Sequence, residues 1–180
     1  LKQPKILAYL EKRGFKRATV EQFRLGYLPS GIKAINSLIG SYKNNDLLAQ
    51  DIIKAGLIRQ QKAIFFSPFQ DRLLFPIQDH LGRFCGFGGR VIRENDTRAK
   101  YYNSSENDFF NKGQILFGLT HAKRAIQKSD EVFLVEGYTD CLAMAQHGYT
   151  NTVATLGTSC TADHLKILSR YAQRLYIVYD

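Results

Sequence analysis

Two acids follow apolar runs in the second half of this 180-residue chain, and acids so placed can hold cations. Glu136 follows Val132-Phe133-Leu134-Val135, and Asp180 follows Leu175-Tyr176-Ile177-Val178-Tyr179. Four consecutive apolar residues read as a strand buried on both faces. Gly137 then turns the backbone and a helical pattern opens at Asp140, so Glu136 ends a parallel strand where open α/β sheets place their ligands. Two carboxylates brought to one such edge form a hard-oxygen site suited to Mg2+ or Mn2+. Alone, the stretch reads equally well as a solvated acid at Glu136 and a helix N-cap at Asp140. A second chemical string is Lys100-Tyr101-Tyr102-Asn103-Ser104-Ser105, in which a cation, aromatic rings, an amide and hydroxyls adjoin. Such groups grip phosphates, sugars and unstacked bases, although an ordinary polar loop has the same composition.

The elements that must position these groups follow from periodicity. Between the two acids the pattern predicts a helix over 140–147, a strand over 152–156 and a helix over 161–170. That is β-α-β-α-β, a parallel sheet with right-handed crossovers. If its first and third strands are neighbours, Glu136 and Asp180 converge. Leu156-Gly157-Thr158-Ser159 enters the second helix, whose free N–H groups suit a phosphate, or Ser159 or Thr161 simply caps it. Earlier, helices are predicted over 5–13, with Pro4 in the first turn and Gly14 beyond the end, and over 32–42 and 46–55. Thr19-Val20-Glu21-Gln22 has capping-box form and predicts a helix over 19–25. Strands follow over 64–66, 73–77 and 84–87, with a turn at Asp79-His80-Leu81-Gly82. Gly86-Phe87-Gly88-Gly89-Arg90 lacks G-x-G-x-x-G spacing and a following helix, so it is no dinucleotide fingerprint; it implies a close backbone approach or a twisted hairpin edge. Residues 93–112 show little periodicity.

Charge divides the chain. Residues 1–130 carry 22 Lys/Arg against 11 Asp/Glu, and residues 131–180 carry 3 against 5. A basic half before a slightly acidic one fits a protein that holds a polyanion and metal cations, or one with a solvated basic surface. Cys85, Cys141 and Cys160 lack C-x-x-C spacing and predict reduced thiols in the cytoplasm. Cys160 and His164, four apart, are too few for a zinc site. No run of 18 apolar residues exists, and the amino end is neither a signal peptide nor an initiating methionine, which suggests a fragment cut at both ends.

Several stretches share their order and spacing with one family. Tyr9-Leu10-Glu11-Lys12-Arg13-Gly14, Phe23-Arg24-Leu25-Gly26-Tyr27, Asp71-Arg72-Leu73-Leu74-Phe75-Pro76-Ile77, Gly86-Phe87-Gly88-Gly89-Arg90-Val91, Lys100-Tyr101-Tyr102-Asn103-Ser104, Phe110-Asn111-Lys112-Gly113, Glu136-Gly137-Tyr138-Thr139-Asp140 and Leu156-Gly157-Thr158-Ser159 together resemble the RNA-polymerase core of bacterial DnaG-type DNA primases. The resemblance implies an α+β basic subdomain over 1–125 forming a template and nucleotide groove. An α/β, Rossmann-like, parallel-sheet Toprim subdomain follows over 126–180, truncated at its carboxyl end. It implies catalytic acids at Glu136, Asp140 and Asp180, with Mg2+ or Mn2+ held by Glu136 and Asp180. It also implies nucleic-acid or nucleotide contacts at Arg13, Arg72, Arg90, Lys100, Asn103, Ser104 and Lys112. Implied partners are a single-stranded DNA template, NTPs, an RNA primer and, through a domain absent here, a replicative helicase. No membrane is implied, the structural zinc belongs to another absent domain, and the fragment is expected to be monomeric and inactive alone. Gln70 replaces a common arginine, removing one groove cation, and Ser105 replaces a usual proline, which should loosen that loop. Two rival readings stay open: a Toprim topoisomerase or nuclease, and a non-catalytic single-stranded nucleic-acid-binding module.

Overall fold

The computed structural model describes residues 3–40, 53, 56–62, 64–157 and 159–179. Helix α1 (Pro4–Lys12) opens on its proline, buries Ile6 and Leu10, and gives way to Gly14 at φ +83°. Only glycine takes that left-handed turn without strain. Helix α2 spans Arg17–Gln22 behind Lys16, two residues ahead of the expected capping box. The Thr19 hydroxyl donates to Gln146 Oε1 at 3.0 Å instead of capping, and Glu21 pairs with Arg17 at 2.9 Å. A long-range partner displaced the local motif. Strand β1 (Gly26–Leu28) and helix α3 (Ile32–Gly40) follow. The helix expected over 46–55 falls outside the described residues except at Ile53.

A short ribbon pairs β2 (Arg59–Gln61) with β3 (Ile64–Phe66). The main antiparallel sheet comprises β4 (Arg72–Gln78), β5 (Phe84–Val91) and β6 (Tyr101–Asn103) in the order β1-β4-β5-β6. Pro76 sits within β4 without harm, because β1 pairs only with Arg72, Leu73 and Leu74 and leaves Pro76 one strand neighbour, Phe87 on β5. The glycine-rich stretch is no hairpin edge. It is the middle of β5, paired on both sides, and residues 101–103 form a strand where only loop was expected.

The second half follows the predicted order. Helix α4 (Leu119–Ser129) buries Leu119, Ala122 and Ile126 and leads into β7 (Glu131–Val135), α5 (Tyr138–Gln146), β8 (Thr152–Ala154), α6 (Ala162–Leu168) and β9 (Arg174–Val178). The strands are parallel in the order β8-β7-β9, so β7 is central and neighbours both others. Val135 pairs with Ala154 on one side and Val178 on the other, which aligns the carboxyl ends of all three strands. The fold is therefore mixed: a helix-bearing antiparallel sheet followed by a parallel three-stranded one. No helix among the described residues is long and apolar enough to cross a membrane.

One ring joins the two sheets. Tyr138, the first residue of α5, is 3% exposed and stacks on Phe75 of β4 at 4.7 Å between centroids, with Phe117 perpendicular to it at 4.8 Å. Across it lies Gly88, where an added Cβ would stand 2.3 Å from Tyr138 Cζ. Gly88 is thus glycine because the tyrosine occupies its side-chain space. We expect Gly88→Ala to destabilise the fold by about 1–3 kcal/mol through overpacking, read by denaturant unfolding. A change within about 0.5 kcal/mol, the usual effect at a surface position, would show the contact to be yielding.

Candidate active site

The carboxyl edge of the parallel sheet places Glu136, exposed, one residue beyond β7. Gly137 caps α5 in an extended conformation, and Asp140 stands in the first helical turn, where a negative charge favours the helix dipole. Asp140 folds back closely: a Cβ on Gly137 would lie 2.8 Å from its Oδ2. Thr155, past β8, donates its hydroxyl to the Glu136 carbonyl at 3.3 Å and steadies the turn. At the end of β9, Tyr179 titrates above the ordinary tyrosine range because of burial, then the neighbouring Cys160 and the Glu136 charge.

The antiparallel sheet supplies the facing wall. Arg13 follows α1, Arg90 comes from β5, Lys100 precedes β6, and Tyr101 and Asn103 belong to β6. These residues, with Glu136, Gly137, Thr139, Asp140, Thr155 and Gly157, line one pocket of about 520 Å3. Arg90 is 6% exposed and has no acidic partner among the described residues. Its Nη1 donates to the Tyr101 hydroxyl at 2.8 Å, its guanidinium lies 5.3 Å from the Tyr101 ring centre, and its Nε is buried without a partner. A buried cation with an idle donor, beside a polar pocket, suits an anion. A second pocket of about 380 Å3 shares Arg13, Arg90 and Lys100 and continues past Tyr9, Arg93 and Arg98. There Arg93 is paired with Asp71 at 3.1 Å, and Arg98 with Asp96. Among the described cations of these two pockets, those without an acidic partner are Arg13, Arg90 and Lys100, which share the pocket of Glu136.

Of the ten residues expected at the site, Arg13, Arg90, Lys100, Asn103, Glu136 and Asp140 line the pocket. Arg72 does not. It is 3% exposed, donates to the carbonyls of Pro68, Gly89, Ala99 and Lys100, and so holds the Lys100 loop from behind. Burial, followed by Arg98 nearby, lowers its pKa. Ser104 is also internal: its hydroxyl accepts from the Phe87 N–H at 3.0 Å and extends the β5–β6 pairing. Lys112 lines neither pocket, and its carbonyl meets His164 Nε2 at 2.9 Å. Asp180 lies outside the described residues.

Other expectations resolve similarly. His164, fully buried, forms a capping box with Thr161, so it is a structural histidine and Thr161 is a cap. The Ser105 hydroxyl accepts from Arg59 of the ribbon at 2.9 Å, a contact that a proline there would lack. Sequence reasoning gave no role to Tyr138, Thr139 or Thr155. Nothing local marks Tyr138, whose counterpart Gly88 lies 50 positions earlier.

Glu136 and Asp140 offer only oxygen donors to an open, polar pocket. Among the described residues no group of three or more His, Cys, Asp or Glu could hold a metal ion. Two carboxylates with room for water suit Mg2+, which keeps several waters and binds through one or two carboxylates.

Comparison with known proteins gives concordant results. The model of the DNA primase catalytic core, N-terminal domain, matches residues 1–123, and that of the Toprim domain matches residues 130–180. A DNA primase of Deinococcus radiodurans is 38% identical over 177 residues, covering 97% of this chain and 30% of that protein, so the chain spans under a third of that relative's length. The Aquifex aeolicus primase structure (zinc binding and RNA polymerase domains) superposes with a TM-score of 0.91 at 37% identity, covering 99% of this chain and 43% of that one. A DnaG primase catalytic domain bound to ssDNA gives 0.87 at 39% identity, covering 100% and 56%.

The unpaired Arg90 generates an expectation of its own. Arg90→Leu should leave stability unchanged or raise it by about 1–2 kcal/mol, since a buried charge without a counter-ion is removed. Pyrophosphate should raise the melting temperature of the unaltered protein and fail to raise that of the variant. A large loss of stability in Arg90→Leu, with pyrophosphate still effective, would make the arginine a structural strut.

Proposed function

The chain belongs to the DNA primase catalytic-core family, and from that premise we propose that the protein carrying it is a DNA-dependent RNA polymerase that synthesises short RNA primers on single-stranded DNA. The observation that carries the reading is a pocket whose walls are unlike: Arg13, Arg90 and Lys100 on one side, Glu136 and Asp140 on the other. The ssDNA held by the structurally similar DnaG catalytic domain supports a single-stranded template here. In the proposed reaction a primer 3′-hydroxyl attacks the α-phosphate of an incoming NTP, and pyrophosphate leaves. Arg90 and Lys100 hold the triphosphate, with Arg90 aimed by Tyr101 before substrate arrives. Preorganised donors of this kind stabilise charge that develops during reaction. Arg13 extends the cationic wall along the template backbone. Glu136 and Asp140, with Asp180, would hold a divalent cation, Mg2+ or Mn2+, whose chemistry is to lower the hydroxyl pKa and neutralise charge on the phosphate. The division at residues 125 and 126, the helicase partner and a monomeric state belong to the same proposal.

Two measurements check it. Glu136→Gln, in the protein carrying this chain, should lower NTP incorporation on a single-stranded template more than about a hundredfold while sparing melting temperature and DNA affinity. Gln keeps the size and loses the charge, so near-normal incorporation would remove Glu136 from the site. Without NTP, when Arg90 and Lys100 are free to meet the strand's phosphates beside Arg13, binding of single-stranded DNA should weaken with salt with a log–log slope of about −2, at about −0.7 per contact. Lys100→Ala should make that slope shallower by about 0.7, whereas Arg72→Met should change stability and leave the slope alone. Equal slopes for all three proteins would place the template elsewhere.

A further inference from the structure

We propose that Asn103 is a positioning residue: its side-chain amide ties together the two loops that form the acidic wall. For its catalytic consequence the inference rests on the primase reading above. Asn103 ends β6, on the antiparallel side, yet both halves of its amide reach the parallel side. Oδ1 accepts from the Tyr138 hydroxyl at 2.7 Å, and Nδ2 donates to the Leu156 carbonyl at 2.6 Å. Tyr138 is two residues past Glu136, and Leu156 immediately precedes Gly157. Glu136 and Gly157 both line the pocket. One side chain therefore fixes the β7–α5 turn and the loop after β8 against each other.

The partners also fix the direction of each hydrogen bond. The amide oxygen Oδ1 has no proton to give, so the Tyr138 hydroxyl is the donor to it. A carbonyl can only accept, which assigns Nδ2 to Leu156. Both hydrogen bonds are short, and turning the amide away from either partner would leave a buried hydroxyl or a carbonyl unpaired. Nor can the tyrosine shift toward β5 to follow a moving loop, because Gly88 closes against its ring. The hydroxyl is thus a fixed point on a rigid core, and Asn103 transmits its position to Leu156.

The test uses Asn103→Ala and Tyr138→Phe in the protein carrying this chain. Tyr138→Phe keeps the stacked ring and deletes one hydroxyl, so it carries the test should the Asn103 variant fail to fold. Hydrogen exchange reads the tie without substrate. Amides over 136–139 and 155–157 should exchange at least about tenfold faster in both variants, with β4 and β5 unchanged. On a single-stranded template, kcat should fall about tenfold in both while the NTP KM stays within about twofold, because transition-state alignment is lost and ground-state binding is not. The double variant should be no worse than the more affected single, since both remove the same path. Unchanged exchange in the two variants overturns the inference, as does a raised KM with intact kcat in Asn103→Ala alone, which would make Asn103 a nucleotide ligand. If the unaltered protein incorporates no NTP while the exchange results hold, the functional reading fails and the tie stands.

Discussion

The insertion of the Tyr138 ring into the gap opened by Gly88 sets the relation between the two sheets, and with it the shape of the pocket. The antiparallel sheet carries the cations and the parallel sheet carries the carboxylates, so neither wall has chemistry alone. What brings them together is an aromatic stack on Phe75, an edge contact with Phe117 and a glycine with no side chain to obstruct them. The far end of α5 is held as well. Gln146 accepts from the Lys16 N–H at 2.7 Å and donates to the Gly14 carbonyl at 2.8 Å, beside Arg13. A single helix thus locates Glu136 and Asp140 at its start and Arg13 at its end.

Electrostatics explains why this arrangement remains open for a ligand. In the adjoining pocket Arg93 is paired with Asp71 and Arg98 with Asp96, while Arg72, behind the wall, donates to backbone carbonyls. Arg90 is different. It is held in place by a neutral phenol and keeps a buried donor without a partner. A buried guanidinium left in that condition opposes stability, and such sites persist where function requires them. The carboxylates opposite supply the other half, a place where a hard cation can sit against the anion the arginine attracts.

Much of this was legible in the chain itself. The apolar runs before Glu136 and Asp180, the intervening helical patterns and the short strand at Thr152 gave the parallel unit by composition, although only β7 and β8 bury their runs and β9 leaves Tyr176, Ile177 and Val178 exposed. Boundaries shifted where a nonlocal contact competed, as with Thr19, which joined Gln146 instead of capping its helix. Helix α4 escaped notice because His121, Lys123, Arg124, Gln127 and Lys128 surround its narrow apolar stripe. At the site, Glu136, Asp140, Arg13, Arg90 and Lys100 could be named from residue types and from the family resemblance. Arg72 and Ser104 could not be told apart from them, since a polar residue turned inward toward carbonyls reads in sequence like one turned toward a ligand. Tyr138 was invisible for a related reason: its importance is a shape match with Gly88, and sequence does not display shape.

The central claim is that anion and cation are held in one pocket by opposite walls, and a crystal structure with Mn2+ and a non-hydrolysable NTP tests it most directly. An anomalous manganese peak should lie about 2.0–2.2 Å from a carboxylate oxygen of Glu136 or Asp140, with phosphate oxygens within hydrogen-bond distance of Arg90 and Lys100. Manganese or triphosphate bound elsewhere, with this pocket filled only by water, would contradict the account.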